Sequence, residues 1–211
     1  MTDTTGSDAL EPGLLPFAGA RALIFDCDGT LADTGLLHFR AFEAAMAVDG
    51  FAVDLGWYGA RVGLSRRHLL DAYEAAFGAT LDRAAITRRS VNGYVAAIAD
   101  LEEIAVVAAI ARAYRGRLPM AVASGGEASV LRASLEATGL APLFDAVVSI
   151  DDVGAGKPDP ALFLEAARRL GVSPAECQVY EDSDEGLEAA RRAGIPAHDI
   201  RPFHTPAWQR L

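Results

Sequence analysis

Two rhythms of apolar residues alternate along the chain. Short stretches over 21–25, 120–123, 144–150, 177–180 and about 195–200 read as strands, and in the first of them Ala22 to Phe25 form a continuous apolar run, the mark of a strand buried on both faces of a parallel sheet. Elsewhere apolar residues recur at intervals of three and four. Leu37, Ala41, Ala44, Ala45 and Val48 mark a helix starting near Thr34 and stopped by Gly50. Ser65, a good N-cap, opens a second that carries Leu69, Leu70, Tyr73 and Phe77 and ends at Gly78. A third runs from about 82 to 99 with Ile86, Val91, Tyr94, Val95 and Ile98. No strand-like stretch interrupts 34–100, so a helical insertion follows the first strand directly. Further helices are expected over 103–116, 127–138, from the Pro158/Pro160 pair to about 170, and from 183 to Gly194. Ser173 to Glu176 reads as a single turn closed by a capping box. The alternation predicts an α/β fold, a doubly wound parallel Rossmann-like sheet with a small inserted helical unit. Residues 1–15 read as a mobile tail and 203–211 as a loosely attached one.

Composition narrows the function classes. At 51% hydrophobic residues over 211 positions, the chain is globular, with room for one domain and a small insertion. A formal net charge of −10 makes nucleic acid and anionic membranes poor partners. No apolar run approaches the roughly 18 residues of a membrane span, and the first residues lack a signal-peptide pattern. Two cysteines, Cys27 and Cys177, imply no disulfide framework, so a reducing cytoplasm is expected; separately, a small phosphorylated metabolite is the expected partner of a monomer or weak dimer. Cys27 alternates away from its neighbours into the core and is read as a buried thiol.

The strand ends carry the chemistry. The first strand stops at Asp26-Cys27-Asp28-Gly29-Thr30, two carboxylates one residue apart ahead of a tight turn. Open α/β sheets bind their ligands at carboxyl ends of strands. Two carboxylates this close need a cation, and Mg²⁺, which takes one or two carboxylates plus a substrate phosphate, suits them. One aspartate could instead act as nucleophile while the other moves protons. The second strand ends in Ser124-Gly125-Gly126 ahead of a helix, a hydroxyl with backbone N–H groups fit for an anion. Lys157, the chain's one lysine, offers a compact charge able to meet a phosphate and Asp26 together. The fourth strand ends in Glu181-Asp182-Ser183.

Phe25 to Thr34 resembles the first motif of the haloacid dehalogenase-like hydrolases, and Ser124, Lys157-Pro158 and Glu181-Asp182-Ser183 match the other three motifs in order. The resemblance covers about residues 20–200. It implies an α/β core over 16–33 and 101–203 and a small α-helical cap over 34–100. It implies Asp26 as nucleophile, Asp28 as general acid/base, and Ser124 and Lys157 as catalytic phosphate-binding groups. Mg²⁺ would be held by Asp26, the Asp28 backbone carbonyl and Asp182, with Glu181 a direct or water-mediated partner. His38 at the start of the insertion and Arg66 after Gly63-Leu64-Ser65 resemble substrate residues of the sugar-phosphate branch, with Gly125 beside Ser124. The expected activity is Mg²⁺-dependent hydrolysis of a small phosphorylated sugar, fructose-1-phosphate-like, through an aspartyl phosphate. A β-phosphoglucomutase-type mutase is the alternative. Such mutases carry a cap lysine, absent from 34–100, though Arg88 or Arg89 could substitute. Receiver domains of signalling proteins use similar groups in a different order and without the insertion.

Overall fold

The computed structural model describes residues 10–210. Five strands, β1 (Ala22–Phe25), β2 (Met120–Ala123), β3 (Ala146–Val148), β4 (Cys177–Glu181) and β5 (Ala197–Asp199), form one parallel sheet in the order β3-β2-β1-β4-β5. The central β1 is fully buried. Its alternate side chains enter different layers. Leu23 and Phe25 pack with Val107 and Ile110 of α5 (Ala105–Tyr114) on one face. Ala22 and Ile24 pack with Leu162 and Phe163 of α8 (Ala161–Leu170) on the other. This is why β1 reads as unbroken apolar sequence. The chain runs from β1 through β2 to β3 on one side, then crosses back to β4 and β5. The strand order therefore reverses between β1 and β4, and the crevice at such a switch point is where this fold places ligands. Asp26 and Asp28 follow β1 there, and Glu181 ends β4 there.

Between β1 and α5 the chain forms α1 (Gly35–Ala47), α2 (Leu55–Gly59), α3 (Arg66–Phe77) and α4 (Arg83–Ala96). They enclose a core of their own that includes Phe42, Met46, Leu70 and Ile86. The outgoing and returning connections bond to each other. Asp33 N donates to Glu102 O (3.0 Å) and Ile104 N to Leu31 O (2.8 Å). The remaining helices are α6 (Ala128–Ala137), α7 (Ile150–Val153) and α9 (Asp184–Ala193). Tyr94 of α4 shares a 2.8 Å hydrogen bond with Ser134 of α6, joining the insertion to the sheet layer.

Several local expectations are corrected. Helix α2 goes unnoticed in the sequence because five residues are too few to show a period; Asp54 caps it through Trp57 N (2.8 Å). Strand β3 is shorter than 144–150. Asp145 turns its carboxylate to Met120 N (2.9 Å), and Ser149 opens α7 with Asp152 accepting from its backbone and hydroxyl. Ser173 makes no side-chain cap on its single turn; its carbonyl takes the Cys177 thiol instead. Residues 1–9 of the expected tail lie outside the described residues, but 10–15 are not loose. Leu14 is buried and its carbonyl accepts from Tyr180 Oη (2.9 Å). The segment after 203 is not loose either, as Ala207 N donates to Asp33 Oδ2 (2.8 Å). Among the described residues no helix is long and apolar enough to cross a membrane.

Candidate active site

Carboxylate oxygens of Asp26, Glu181 and Asp182 lie within 4.8 Å of one another at the β1/β4 switch point. Lys157, in the loop before α8, reaches into this group. Its Nζ bonds Asp26 Oδ1 and Glu181 Oε1, the latter at 2.6 Å, and the side chain is 9% exposed. Thr30 Oγ1 donates to Asp182 Oδ1 (3.0 Å). Asp28 is held by three hydroxyl or imidazole groups. His38 Nε2 lies 3.1 Å from Oδ1, Ser124 Oγ donates to Oδ2 (3.2 Å), and Thr34 adds a further hydrogen bond. The His38 ring stacks on Tyr94, 4.2 Å between centroids. A cavity of about 630 Å³ opens above these groups, lined by Asp26, Asp28, His38, Arg66, Gly125 and Lys157 among others. That volume is typical of a small-molecule site.

A family signature, haloacid dehalogenase-like hydrolase, matches residues 20–194, most of the chain. The chain belongs to the haloacid dehalogenase-like hydrolases. It is 37% identical over 179 residues to the fructose-1-phosphate phosphatase YqaB of Escherichia coli (strain K12), spanning 85% of this chain and 95% of that protein. The crystal structure of CbbY from Rhodobacter sphaeroides with phosphate superposes with a TM-score of 0.76 at 28% identity, covering 89% and 91% of the two chains. A mutant of the same protein, in complex with xylulose-1,5-bisphosphate, gives 0.75 at 29% identity over 84% of each. This hydrolase is thus a phosphatase of that family, and a receiver domain is excluded.

Two glycines of the hydrolase exist to let the carboxylates approach. Gly29 has φ +86°, and a Cβ there would fall 2.2 Å from Asp182 Oδ2. Gly186 lies in the first turn of α9, its N–H donating to Ser183 Oγ (3.0 Å), and a Cβ would fall 1.7 Å from Glu181 Oε1. Gly186→Ala must therefore push Glu181 off Lys157. A displacement of this kind is expected to lower kcat/KM about 10²-fold while α9, better supplied with helix propensity, stays formed. Steady-state kinetics with circular dichroism check this.

The electrostatics follow from four carboxylates around one ammonium. Burial raises Asp26 well above the usual carboxylate range; Lys157 opposes this, while Glu181, Asp182 and Asp28 add to it. Burial, then Glu181, pushes Asp182 up to about 7. Burial alone would lower Lys157, but Asp26 and Glu181 keep the proton on it, far above pH 7. Asp28 differs. Burial raises it, but the hydrogen bond and charge of His38, with bonds from Thr34 and Ser124, outweigh that and hold it at about 2.

These directions set a pH test. Asp182 is raised in the fold, so its contribution to stability is fully present below about pH 4 and is lost as pH rises through about 7. Asp28 is lowered, so its contribution is present above about pH 4 and lost only as pH falls through about 2. In EDTA the melting temperature is expected to fall between pH 5 and 8, and saturating Mg²⁺ is expected to flatten that slope. Parallel slopes with and without Mg²⁺ would count against a cation at this cluster.

Not every expected residue stands free in the cavity. Ser124 is fully buried; its hydroxyl bridges Asp28 and Gly126 N (3.0 Å). Arg66 lines the cavity, but its guanidinium is paired with Glu127 at 3.1 Å and with Ser90 Oγ at 2.6 Å, tying α3 to α4 and to the residue before α6. Glu181 has both oxygens engaged, Oε1 by Lys157 and Oε2 by the N–H groups of Asp182 and Ser183 and by Ser183 Oγ. Arg88 is exposed, and Arg89 bonds Ala45 O and pairs with Asp49; neither lines the cavity. The sequence reading missed Thr34, Glu127, Gly186 and Tyr58. Tyr58 comes from the unpredicted α2 and lines the cavity, with burial pushing its phenol up to about 12. Only Gly186 leaves a signal, a glycine at an early helical position where Ala would be the better helix former.

Proposed function

We propose that this phosphatase is Mg²⁺-dependent and hydrolyses a small phosphorylated sugar, fructose-1-phosphate-like. The observation that carries this is the meeting of Asp26, Asp182, Glu181 and Lys157 beneath a cavity of about 630 Å³. The activity printed in the name of YqaB and the bisphosphate bound to the CbbY mutant support the sugar-phosphate class. The donor set fits the ion. Buried oxygen ligands outnumber the single ammonium, which is the charge deficit that a hard divalent cation relieves. Asp26, Asp182 and the Asp28 carbonyl would hold it, with Glu181, its oxygens already engaged, fixing Lys157. When bound, Mg²⁺ supplies neutralising charge for the phosphate and for the carboxylates.

The chain's own groups divide the chemistry. Asp26 attacks phosphorus; a P–O bond forms to its carboxylate as the bond to the sugar oxygen breaks. Lys157 holds Asp26 in line and offsets charge on the phosphoryl oxygens. Asp28 gives a proton to the departing sugar oxygen. It then takes one from the water that splits the aspartyl phosphate, freeing Asp26 and phosphate. Held near 2, Asp28 is in the base form here; as the substrate's negative charge raises it, it takes from solvent the proton that it then gives to the departing oxygen. His38 and Arg66 address the substrate from the insertion, which serves as a cap over 34–100 on a core of 16–33 and 101–203. The two buried cysteines suit a reducing cytoplasm.

The mutase alternative differs in where the phosphate goes. Assay of fructose 1-phosphate and both glucose 1-phosphate anomers, with and without EDTA, separates them. Free phosphate that disappears in EDTA is expected. Glucose 6-phosphate from the β-anomer without free phosphate would select the mutase, and activity indifferent to EDTA would remove the metal.

A further inference from the structure

The family signature ends at residue 194, yet the chain beyond it is built into the cavity wall. After β5 the chain turns at Arg201–Phe203. Phe203 packs against the core cluster of β1 and α5, and Arg201 pairs with Asp184 (2.8 Å) and Asp199 (2.7 Å). The following residues run to the hinge of the insertion. Ala207 N donates to Asp33 Oδ2 (2.8 Å), and His204 Nε2 lies 3.4 Å from the same oxygen. Asp33 is 9% exposed at its side chain, so this anchor is sheltered from water. The segment is thus held at both ends, by the core at Phe203 and by Asp33. Between and beyond these anchors His204, Pro206 and Gln209 line the same cavity as Asp26 and Asp182.

We propose that His204, Pro206 and Gln209 form a specificity-determining wall that limits the size of the leaving group, with His204 and Gln209 as the side chains that set the limit. The physical reason is position. Asp26 and Lys157 hold the phosphoryl group, so the rest of the substrate meets the other residues that line the cavity, His204, Pro206 and Gln209 among them. A wall anchored by backbone and by a sheltered carboxylate yields less than a free loop. The Gln209 carboxamide both donates and accepts, which suits hydroxyls rather than a second charged group. This inference rests on the sugar-phosphate reading above.

The test uses the full chain and a ladder of acetyl phosphate, fructose 1-phosphate and trehalose 6-phosphate. Gln209→Trp narrows the wall; His204→Ala with Gln209→Ala widens it. The Trp variant is expected to lower the kcat/KM ratio of fructose 1-phosphate to acetyl phosphate about tenfold, through KM rather than kcat. The double Ala variant is expected to raise the ratio of trehalose 6-phosphate to fructose 1-phosphate about tenfold. Ratios within about twofold of the unaltered chain in both variants, with melting temperatures retained, overturn the wall. An unaltered chain that cleaves acetyl phosphate but not fructose 1-phosphate overturns the sugar reading instead, and the ratio of acetyl to trehalose phosphate then still decides the wall. Gln209→Ala alone, at an exposed position, serves if a larger change impairs folding.

Discussion

Asp26→Asn is expected to lower turnover by at least about 10⁴-fold, the scale of losing a nucleophile, while leaving the chain folded. The substitution keeps the shape and leaves an amide oxygen for Lys157. It removes one carboxylate from a cluster whose members raise one another's pKa. In EDTA the variant should therefore melt at or above the temperature of the unaltered chain. The combination is diagnostic, since loss of activity through misfolding would lower the melting temperature. Phosphate release and thermal melts on the same preparation check both halves. Residual turnover within about 10²-fold would assign the attack to another group.

Lys157→Met is expected to be the most damaging single change to stability, at about 3–5 kcal/mol in metal-free buffer. It removes a buried cation and leaves Asp26 and Glu181 facing each other without it. Phe163 would still offer a ring to the methionine, since Lys157 Nζ already lies 5.0 Å over it. Packing is thus largely kept and charge is lost. Turnover should fall about 10²–10³-fold in addition, as for a missing donor to transition-state charge. Lys157→Arg should not restore it, because a planar fork does not replace a compact ammonium between two carboxylates. Urea unfolding in EDTA and in Mg²⁺ measures the effect; a loss below about 1 kcal/mol in EDTA would mean that Lys157 does not balance the cluster.

Much of the site was legible in the sequence. The apolar stretch ending in Asp26 and Asp28 announced a buried strand with charge at its ligand-bearing end. Ser124 and Glu181 repeated the pattern after β2 and within β4. The lone lysine stood out by composition. What escaped was set by contacts across the fold. The Arg66 pair with Glu127 spans 61 residues, and nothing near either residue in sequence signals it. Helix α2, with Tyr58, is shorter than a readable period. Residues 203–211 read as a loose tail because polar, proline-containing sequence carries no core-facing period, yet Ala207 of that stretch is fastened to Asp33 through its backbone N–H.

The sequence by itself determined the five strands, their parallel alternation with helices, the placement of the insertion and the chemical groups at the strand ends. Each of these is written within a few neighbouring residues, as a run, a period or a cap. Tertiary structure alone decided that Lys157 bridges Asp26 and Glu181, that Ser124 turns its hydroxyl to Asp28, that Ala207 bonds Asp33, and that His204, Pro206 and Gln209 line the cavity. Those pairings join residues as far as 174 apart, and burial at the β1/β4 switch point gives the charged ones among them their strength.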